Sequence, residues 1–407
     1  MKLLLLPAYF FPELVSDTPL DNARYAAYAA ADVEMELFTS IPTRGVSEED
    51  KKKYGSIKME KMYNGKMTVH RFSMIDEKKN PILRAWRYFL CFIKQYHYGK
   101  KQKDVDAIFV ISTPPIQGML AAMLKKKLYC KFVYNLQDIF PDTLVGAGLA
   151  KKDGLLWKIG RRIENYTYRN ADRIIVISED FKKNIMAKGV PEEKIAVVYN
   201  WVDENAIKPV AKEDNPLFEE FGLSRNKFTV VYAGNLGNAQ NISIILDCAK
   251  ELSEVQFAVF GTGGLENEVR ERIEKEGLDN VHLNPLQPYE RVSYVYSLGD
   301  LCIVSCKEGF GGSAMPSKTW TIMSCGRPVI ASFDEGELKE IVENNELGVF
   351  THAGNLQEFV DGIRSLAADK AHCAEMGKNA RNFIMDNLTK EVGTKKYVEI
   401  IKTVCNE

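Results

Sequence analysis

The stretch Met315-Pro-Ser-Lys-Thr-Trp-Thr-Ile-Met-Ser-Cys-Gly-Arg-Pro-Val-Ile-Ala331 decides how this chain is read. It predicts a helix start, a short helix, a tight Gly-Arg-Pro turn and a buried strand. Pro316 suits a first helical turn, where its missing N–H is no loss. Ser317 and Lys318 then fall where free backbone N–H groups point outward, and Lys318 adds a full charge to an anion site. Upstream, Asp300-Leu-Cys-Ile-Val-Ser305 reads as another buried strand, and the loop 306–314 carries Gly309, Gly311 and Gly312. Strand, glycine loop and helix start together predict a diphosphate site with Lys318 as its first cation and Lys307 as its second.

Working outward, apolar strands alternate with amphipathic helical stretches along the whole chain. That pattern predicts parallel sheets with helices on both faces. Strands are expected near 2–8, 33–39, 67–73, 107–112, 131–136, 173–178 and 195–199, then near 228–233, 255–260, 280–283, 300–305, 328–332 and 347–350. Between Lys208 and Asn226 the chain turns polar before Phe228-Thr-Val-Val-Tyr-Ala233 starts a second alternation. The reading is an α/β chain of two Rossmann-like domains, 1–205 and 206–387. A last helix, about 388–407, returns to the first domain. Two such domains face to face leave an interdomain cleft at the carboxyl ends of their strands, where ligands bind in open α/β sheets.

Three glycine loops fall on that rim of the second domain. Gly234-Asn-Leu-Gly-Asn-Ala-Gln-Asn241 follows a strand and opens a helix. Gly234 and Gly237 allow close backbone approach to a phosphate, and Asn235 and Gln240 can donate hydrogen bonds. Gly261-Thr-Gly-Gly264 follows the next strand, which makes Gly261 and Gly263 further candidates. The third loop is 306–318. In the first domain Asp138 ends an apolar strand on the same side, which suits holding sugar hydroxyls or positioning an acceptor. Asn200 and Asp203 fall near the hinge, where turn and cap roles are equally in play.

Size and composition narrow the classes. The 407 residues carry a net charge of −1, which gives no argument for nucleic acid. Eight scattered cysteines fit buried thiols in a reducing cytoplasm rather than disulfides or zinc. The apolar run Lys2 to Pro7 is too short for a signal peptide or a membrane span. Five dispersed histidines form no metal constellation, and Asp104-Val-Asp106 precedes its strand, on the wrong rim for a metal. No metal and no cofactor are expected.

The ordered motifs resemble GT-B glycosyltransferases of family four, the retaining group of bacterial surface polysaccharide synthesis. They run from Tyr9-Phe-Phe-Pro-Glu13 and Ser112-Thr-Pro-Pro115 through Asn135-Leu-Gln-Asp-Ile-Phe-Pro-Asp142 and Ile177-Ser-Glu179. They continue with Val198-Tyr-Asn-Trp-Val-Asp203, Tyr232-Ala-Gly-Asn-Leu-Gly237, Phe260-Gly-Thr-Gly263, Pro316-Ser-Lys318 and Gly326-Arg-Pro-Val329. The Gln-Asp-Ile-Phe-Pro-Asp and Pro-Ser-Lys-Thr segments look most like fucosamine transferases of O-antigen and capsule pathways. The resemblance implies a nucleotide-sugar donor, UDP-linked, in the second domain. It also implies a saccharide or polyprenyl-diphosphate-linked acceptor in the first, near Glu13, Asp17 and Asn200, with transfer by retention. Ser313 and Thr321 stand where the wider family has its Glu-x7-Glu pair. Asn235 and Gln240 stand in the loop where it has an arginine and a lysine. Two other classes stay open at this level: a nucleotide-sugar 2-epimerase on the same fold, and a non-catalytic relative that only binds sugar nucleotides.

The stretch 78–103 holds eight basic residues, among them Lys78, Lys79, Arg84 and Arg87, and no acid. Ile82, Trp86, Phe89 and Ile93 recur at helical spacing. One reading packs that stripe on the domain's own sheet. The other docks it on an anionic membrane surface, at the inner face of the cell membrane, beside a lipid-linked acceptor.

Overall fold

A computed structural model describes residues 1–13, 18–77, 80–146, 150–311 and 314–407. The chain divides into two units, Met1–Tyr199 with Gly393–Glu407, and Asn200–Val392. The division falls at Tyr199, a little before the expected 205.

The first unit holds an eight-stranded sheet. Its strands are β1 (Lys2–Leu5), β2 (Glu34–Ser40), β3 (Met59–Met62), β4 (Met67–Phe72), β5 (Ala107–Ile111), β6 (Lys131–Leu136), β7 (Arg173–Val176) and β8 (Ile195–Val197). Their order is β3-β4-β2-β1-β5-β6-β7-β8. The central strands are apolar runs such as Ala107-Ile-Phe-Val-Ile111, buried along most of their length, as a sheet covered on both faces requires. β3 pairs antiparallel with β4 at the edge, and the sequence reading missed it. Met59-Glu-Lys-Met62 has no apolar run to announce it, and its side chains are half-buried or exposed.

The second unit holds six parallel strands, β9 (Thr229–Asn235), β10 (Gln256–Thr262), β11 (Val281–Asn284), β12 (Leu301–Ser305), β13 (Val329–Phe333) and β14 (Gly348–His352). Their order is β11-β10-β9-β12-β13-β14. Strand order reverses at β9 and β12, which places a topological switch point at their carboxyl ends. The core on one side of this sheet joins Val230, Tyr232, Ile303 and Ile330 to the helix Ile242–Glu251 and to Phe359 and Ile363.

One packing expectation is corrected. The helix Pro81–Gly99 turns its apolar stripe outward: Ile82 is 78% exposed, Trp86 52% and Phe89 50%. Its inward face is Arg87, Cys91 and Gln95, all fully buried. The ends of the strands supply the reason. Gln95 Nε2 donates to the carbonyls of Pro7 (2.8 Å) and Phe38 (2.9 Å). Arg87 lies between the buried carboxylates of Glu13 (3.8 Å) and Glu77 (3.9 Å) and over the Tyr9 ring. Buried acceptors demand donors, so the polar face is the one that packs.

Candidate functional site

The rim of the second unit is built by β9, β10, β12 and β13 as they end. β9 runs on through Gly234 and Asn235. Gly234 has φ +148°, and a Cβ there would come within 2.9 Å of Lys318 Nζ. Glycine at 234 therefore leaves room for the lysine. The Tyr232 hydroxyl donates to the Asn235 carbonyl (2.7 Å) and its ring lies 4.4 Å from Lys318 Nζ. Lys318 is partly buried, and no carboxylate among the described residues pairs with it. Burial lowers its pKa from 10.5 to about 8. A cation over an aromatic face, with no anion of its own, is prepared for an anionic ligand.

The remaining loops are tied to one another. The Ser305 hydroxyl donates to the Gln240 carbonyl (2.7 Å), and the Lys307 N–H donates to the Ala239 carbonyl (2.8 Å). The Lys307 side chain is exposed. Asn235 Nδ2 donates to Gln240 Oε1 (3.2 Å), so the two amides hold each other across the turn. The Asp334 carboxylate accepts from the N–H groups of Gly309 (3.0 Å) and Gly311 (2.7 Å). The chain's own carboxylate thus takes two amides of the glycine loop that the sequence reading placed at the diphosphate site.

Two further glycines of the rim have packing roles of their own. A Cβ on Gly261 would meet the Gly234 carbonyl at 2.6 Å, and one on Gly263 would strike the Leu236 carbonyl. These glycines let β10 and its loop pass close to β9, a packing demand that accounts for glycine at both positions without a phosphate. A Cβ on Gly237 would meet Asn235 Nδ2 at 2.5 Å, so that glycine allows the amide pair to form.

The helix after the glycine loop, Lys318–Ser324, is seven residues long with Ser317 at its N-cap. Pro316 therefore lies outside the helix and not in its first turn, and its carbonyl accepts from the Thr319 N–H (2.9 Å). Ser317 is exposed, and the Thr321 hydroxyl lies 3.5 Å from the Ser317 carbonyl. So short a helix adds little dipole, and the charge on Lys318 carries the site. Ser313 lies outside the described residues.

In the first unit Asp138 stands two residues past β6 with an exposed side chain. The N–H groups of Gln137 (3.0 Å) and Asp138 (3.1 Å) both donate to the Ser112 hydroxyl, which fixes the backbone there. Glu13 is corrected. It is fully buried, and its carboxylate accepts from the N–H groups of Thr43 (2.8 Å) and Arg44 (3.0 Å). It holds the loop after β2 and cannot reach an acceptor; burial raises its pKa. Asp17 lies outside the described residues. Asn200, partly exposed, opens the second unit. Nearby, Asp203 accepts from Lys390 Nζ (2.7 Å) and caps the turn at Asn205 and Ala206. Asp106 accepts from the Lys2 N–H (2.7 Å) at the other end of the sheet, a structural role.

Sequence reasoning missed Tyr232, Ser305 and Asp334. Ser305 ends β12 and Asp334 follows β13, and that position was the available signal, whereas Tyr232 lies inside β9 and reads as core. Among the described residues no group of three or more His, Cys, Asp or Glu could hold a metal ion.

Comparisons with known proteins bear on the fold and on the class of activity. Residues 26–206 match the model of Glycosyltransferase Family 4, and residues 214–383 match Glycosyl transferases group 1. The chain is a glycosyltransferase. "Probable glycosyltransferase WbjE" of Pseudomonas aeruginosa is 24% identical over 83% of this chain and 84% of its own. WcaI of Escherichia coli (strain K12), whose name assigns it to colanic acid biosynthesis, is 26% identical over 69% of this chain and 70% of its own. HepE of Anabaena, in a crystal structure with UDP, superposes with a TM-score of 0.73 at 18% identity, covering 99% of this chain and 100% of that one. The fold of this glycosyltransferase is GT-B, with a unit built on a mostly parallel sheet for each of its two domains.

Proposed function

We propose that this glycosyltransferase moves a sugar from a UDP-linked donor to a lipid-linked saccharide acceptor, with retention, in bacterial surface polysaccharide synthesis. The subgroup resemblance favours an N-acetylated deoxyhexosamine as the sugar. The observation that carries the reading is Lys318, an ammonium beside Gly234 and Tyr232 with no carboxylate of its own. A leaving diphosphate gains charge as the glycosidic bond breaks, and a preorganised cation stabilises it most at that point. Asn235, Gln240 and Thr321 would complete the donor site. Asp138 would position the acceptor hydroxyl while the departing phosphate takes its proton. The relatives WbjE and WcaI and the UDP-bound HepE support the class, the pathway type and the nucleotide.

The contact with an anionic membrane through 78–103 belongs to the same reading. The outward-facing stripe of Pro81–Gly99 supports it, and Lys78 and Lys79 lie outside the described residues. No described helix is long and apolar enough to cross a membrane, which fits attachment at the inner face rather than a span. The test is a thermal-shift panel of nucleotide sugars followed by transfer assays. UDP sugars should stabilise the protein, and Lys318→Ala should lower kcat about 100-fold or more. Unchanged turnover in that variant would end the assignment. Because Lys318 neutralises the leaving group in this scheme, activity should survive EDTA. Loss of activity with EDTA, restored by manganese or magnesium, would show that a metal does that work.

A further inference from the structure

We propose that the outward faces of two helices of the first unit, Pro81–Gly99 and Leu155–Asn170, form one docking surface for an anionic lipid bilayer. The proposal deepens the membrane contact suggested above and rests on it for the first helix. The second helix is new. Leu155 is 78% exposed, Leu156 50% and Ile159 45%. These side chains lie in its first two turns, ahead of the stretch where Gly160, Glu164 and Thr167 are buried. Isolated exposed apolar residues need no explanation, but two such groups on helices that flank a common third helix do.

Position joins the two groups. Both helices begin beyond the carboxyl end of the first sheet, after β4 and β6. The helix Ile116–Leu128 lies between them and packs on each. Both exposed groups therefore crown the same end of the same layer. The first helix is held rigidly, because Arg87, Glu77 and Tyr9 fasten its buried face to the loops beneath. A face this apolar is thus kept outward by a polar network and is not a helix that has failed to pack.

Charge selects the occupant. Lys151, Lys152, Lys158 and Arg162 are exposed around the second group and make no ion pair among the described residues. Asp153 is the one acid between Lys151 and Arg161, and Pro81–Gly99 has none. A second copy would bring the same cations against themselves. An anionic leaflet answers both features, since cations sit at the headgroups while Trp86, Phe89 and the leucines enter the interface.

The experiment uses the full chain with phosphatidylglycerol and phosphatidylcholine vesicles, in low and high salt. The wild-type protein should sediment with the anionic vesicles at low salt only. Leu155→Ser with Leu156→Ser and Ile159→Ser should weaken that binding at least about tenfold. So should Trp86→Ser with Phe89→Ser. Lys151→Glu with Lys152→Glu, Lys158→Glu and Arg162→Glu should do the same. All these side chains are exposed, so unchanged circular dichroism and unfolding midpoints are expected. Full binding by the Leu155 variant overturns the proposal, as does wild-type protein that ignores the vesicles. A wild-type dimer in light scattering that these variants make monomeric overturns it too. Nucleotide-sugar thermal shifts on the same samples separate the two readings. Vesicle binding without any donor binding would defeat the proposed function and leave this surface standing.

Discussion

Lys318 stays where burial disfavours its charge, and that has a measurable sign. Its pKa falls from 10.5 to about 8 on folding. Below pH 8 both folded and unfolded states are protonated, and the full penalty of burying the charge is present. Between pH 8 and 10.5 the folded state loses the proton while the unfolded state keeps it, so stability rises with pH through that window. Above 10.5 both are neutral and the penalty is gone. Lys318→Met should therefore stabilise the protein at pH 7 while removing turnover. One pKa unit corresponds to about 1.4 kcal/mol, and partial exposure discounts the total to about 1–2 kcal/mol. Urea unfolding measures it, and a destabilised Met variant would mark the lysine as structural. Donor affinity should weaken above pH 8 as the free enzyme loses this cation. Asp334 poses the complementary question. Asp334→Ala leaves the amides of Gly309 and Gly311 without their acceptor, which loosens the loop beside the site. Donor KM should rise about tenfold, worth about one hydrogen bond, with little change in unfolding midpoint. Unaltered KM would detach that loop from the donor.

At the scale of elements, legibility followed the physics of burial. Strands such as Phe257-Ala-Val-Phe260 are continuous apolar runs because helices cover both faces of their sheet, and such runs show in sequence. β3 sits at an edge and carries Glu60 and Lys61, so nothing marked it. The site was half legible. Gly234 and Lys318 stand where a strand–loop–helix reading puts them, whereas the tasks of Gly261, Gly263 and Glu13 depend on which neighbour packs there. The Pro81–Gly99 helix misled for a deeper reason. An apolar stripe predicts a core only when the facing surface is apolar, and here that surface offers carboxylates and carbonyls. The buried guanidinium then becomes the sensitive point. Arg87→Leu strands the fully buried Glu13 without its cation, removes one of the cations beside Glu77, and should cost about 3–5 kcal/mol in equilibrium unfolding. Arg84, partly exposed and 3.4 Å from Glu77, should cost far less when changed to Ala. Equal effects of the two changes would mean that the cluster is not what fixes the helix.

For the whole molecule, the alternation of strands and helices announces two units, but membership in a unit is decided by contacts distant in sequence. The last helix, Lys390–Asn406, begins in the second unit, and from Gly393 it belongs to the first. Its buried residues Tyr397, Ile401 and Val404 face the first sheet's own core. The Tyr397 hydroxyl donates to Asn135 Oδ1 (2.9 Å) in β6, and its ring lies against the Arg24 guanidinium, 4.4 Å away, and the Phe109 ring. Arg24 is itself fully buried and paired with Asp21 at 2.6 Å, so that cation needs the aromatic cover. Ending the chain at Val392 removes this cover and exposes β5 and β6 on one side. The loss is expected in the first unit, because the buried Tyr397 meets Asn135 in β6 and Phe109 in β5. Hydrogen exchange of the truncated protein should thus show faster exchange in Ala107–Ile111 and Lys131–Leu136. Protection in Thr229–Asn235 and Leu301–Ser305 should stay the same. Uniform loss of protection across both sheets would mean that the second unit depends on the first for its stability, and the division into two self-sufficient cores would fall.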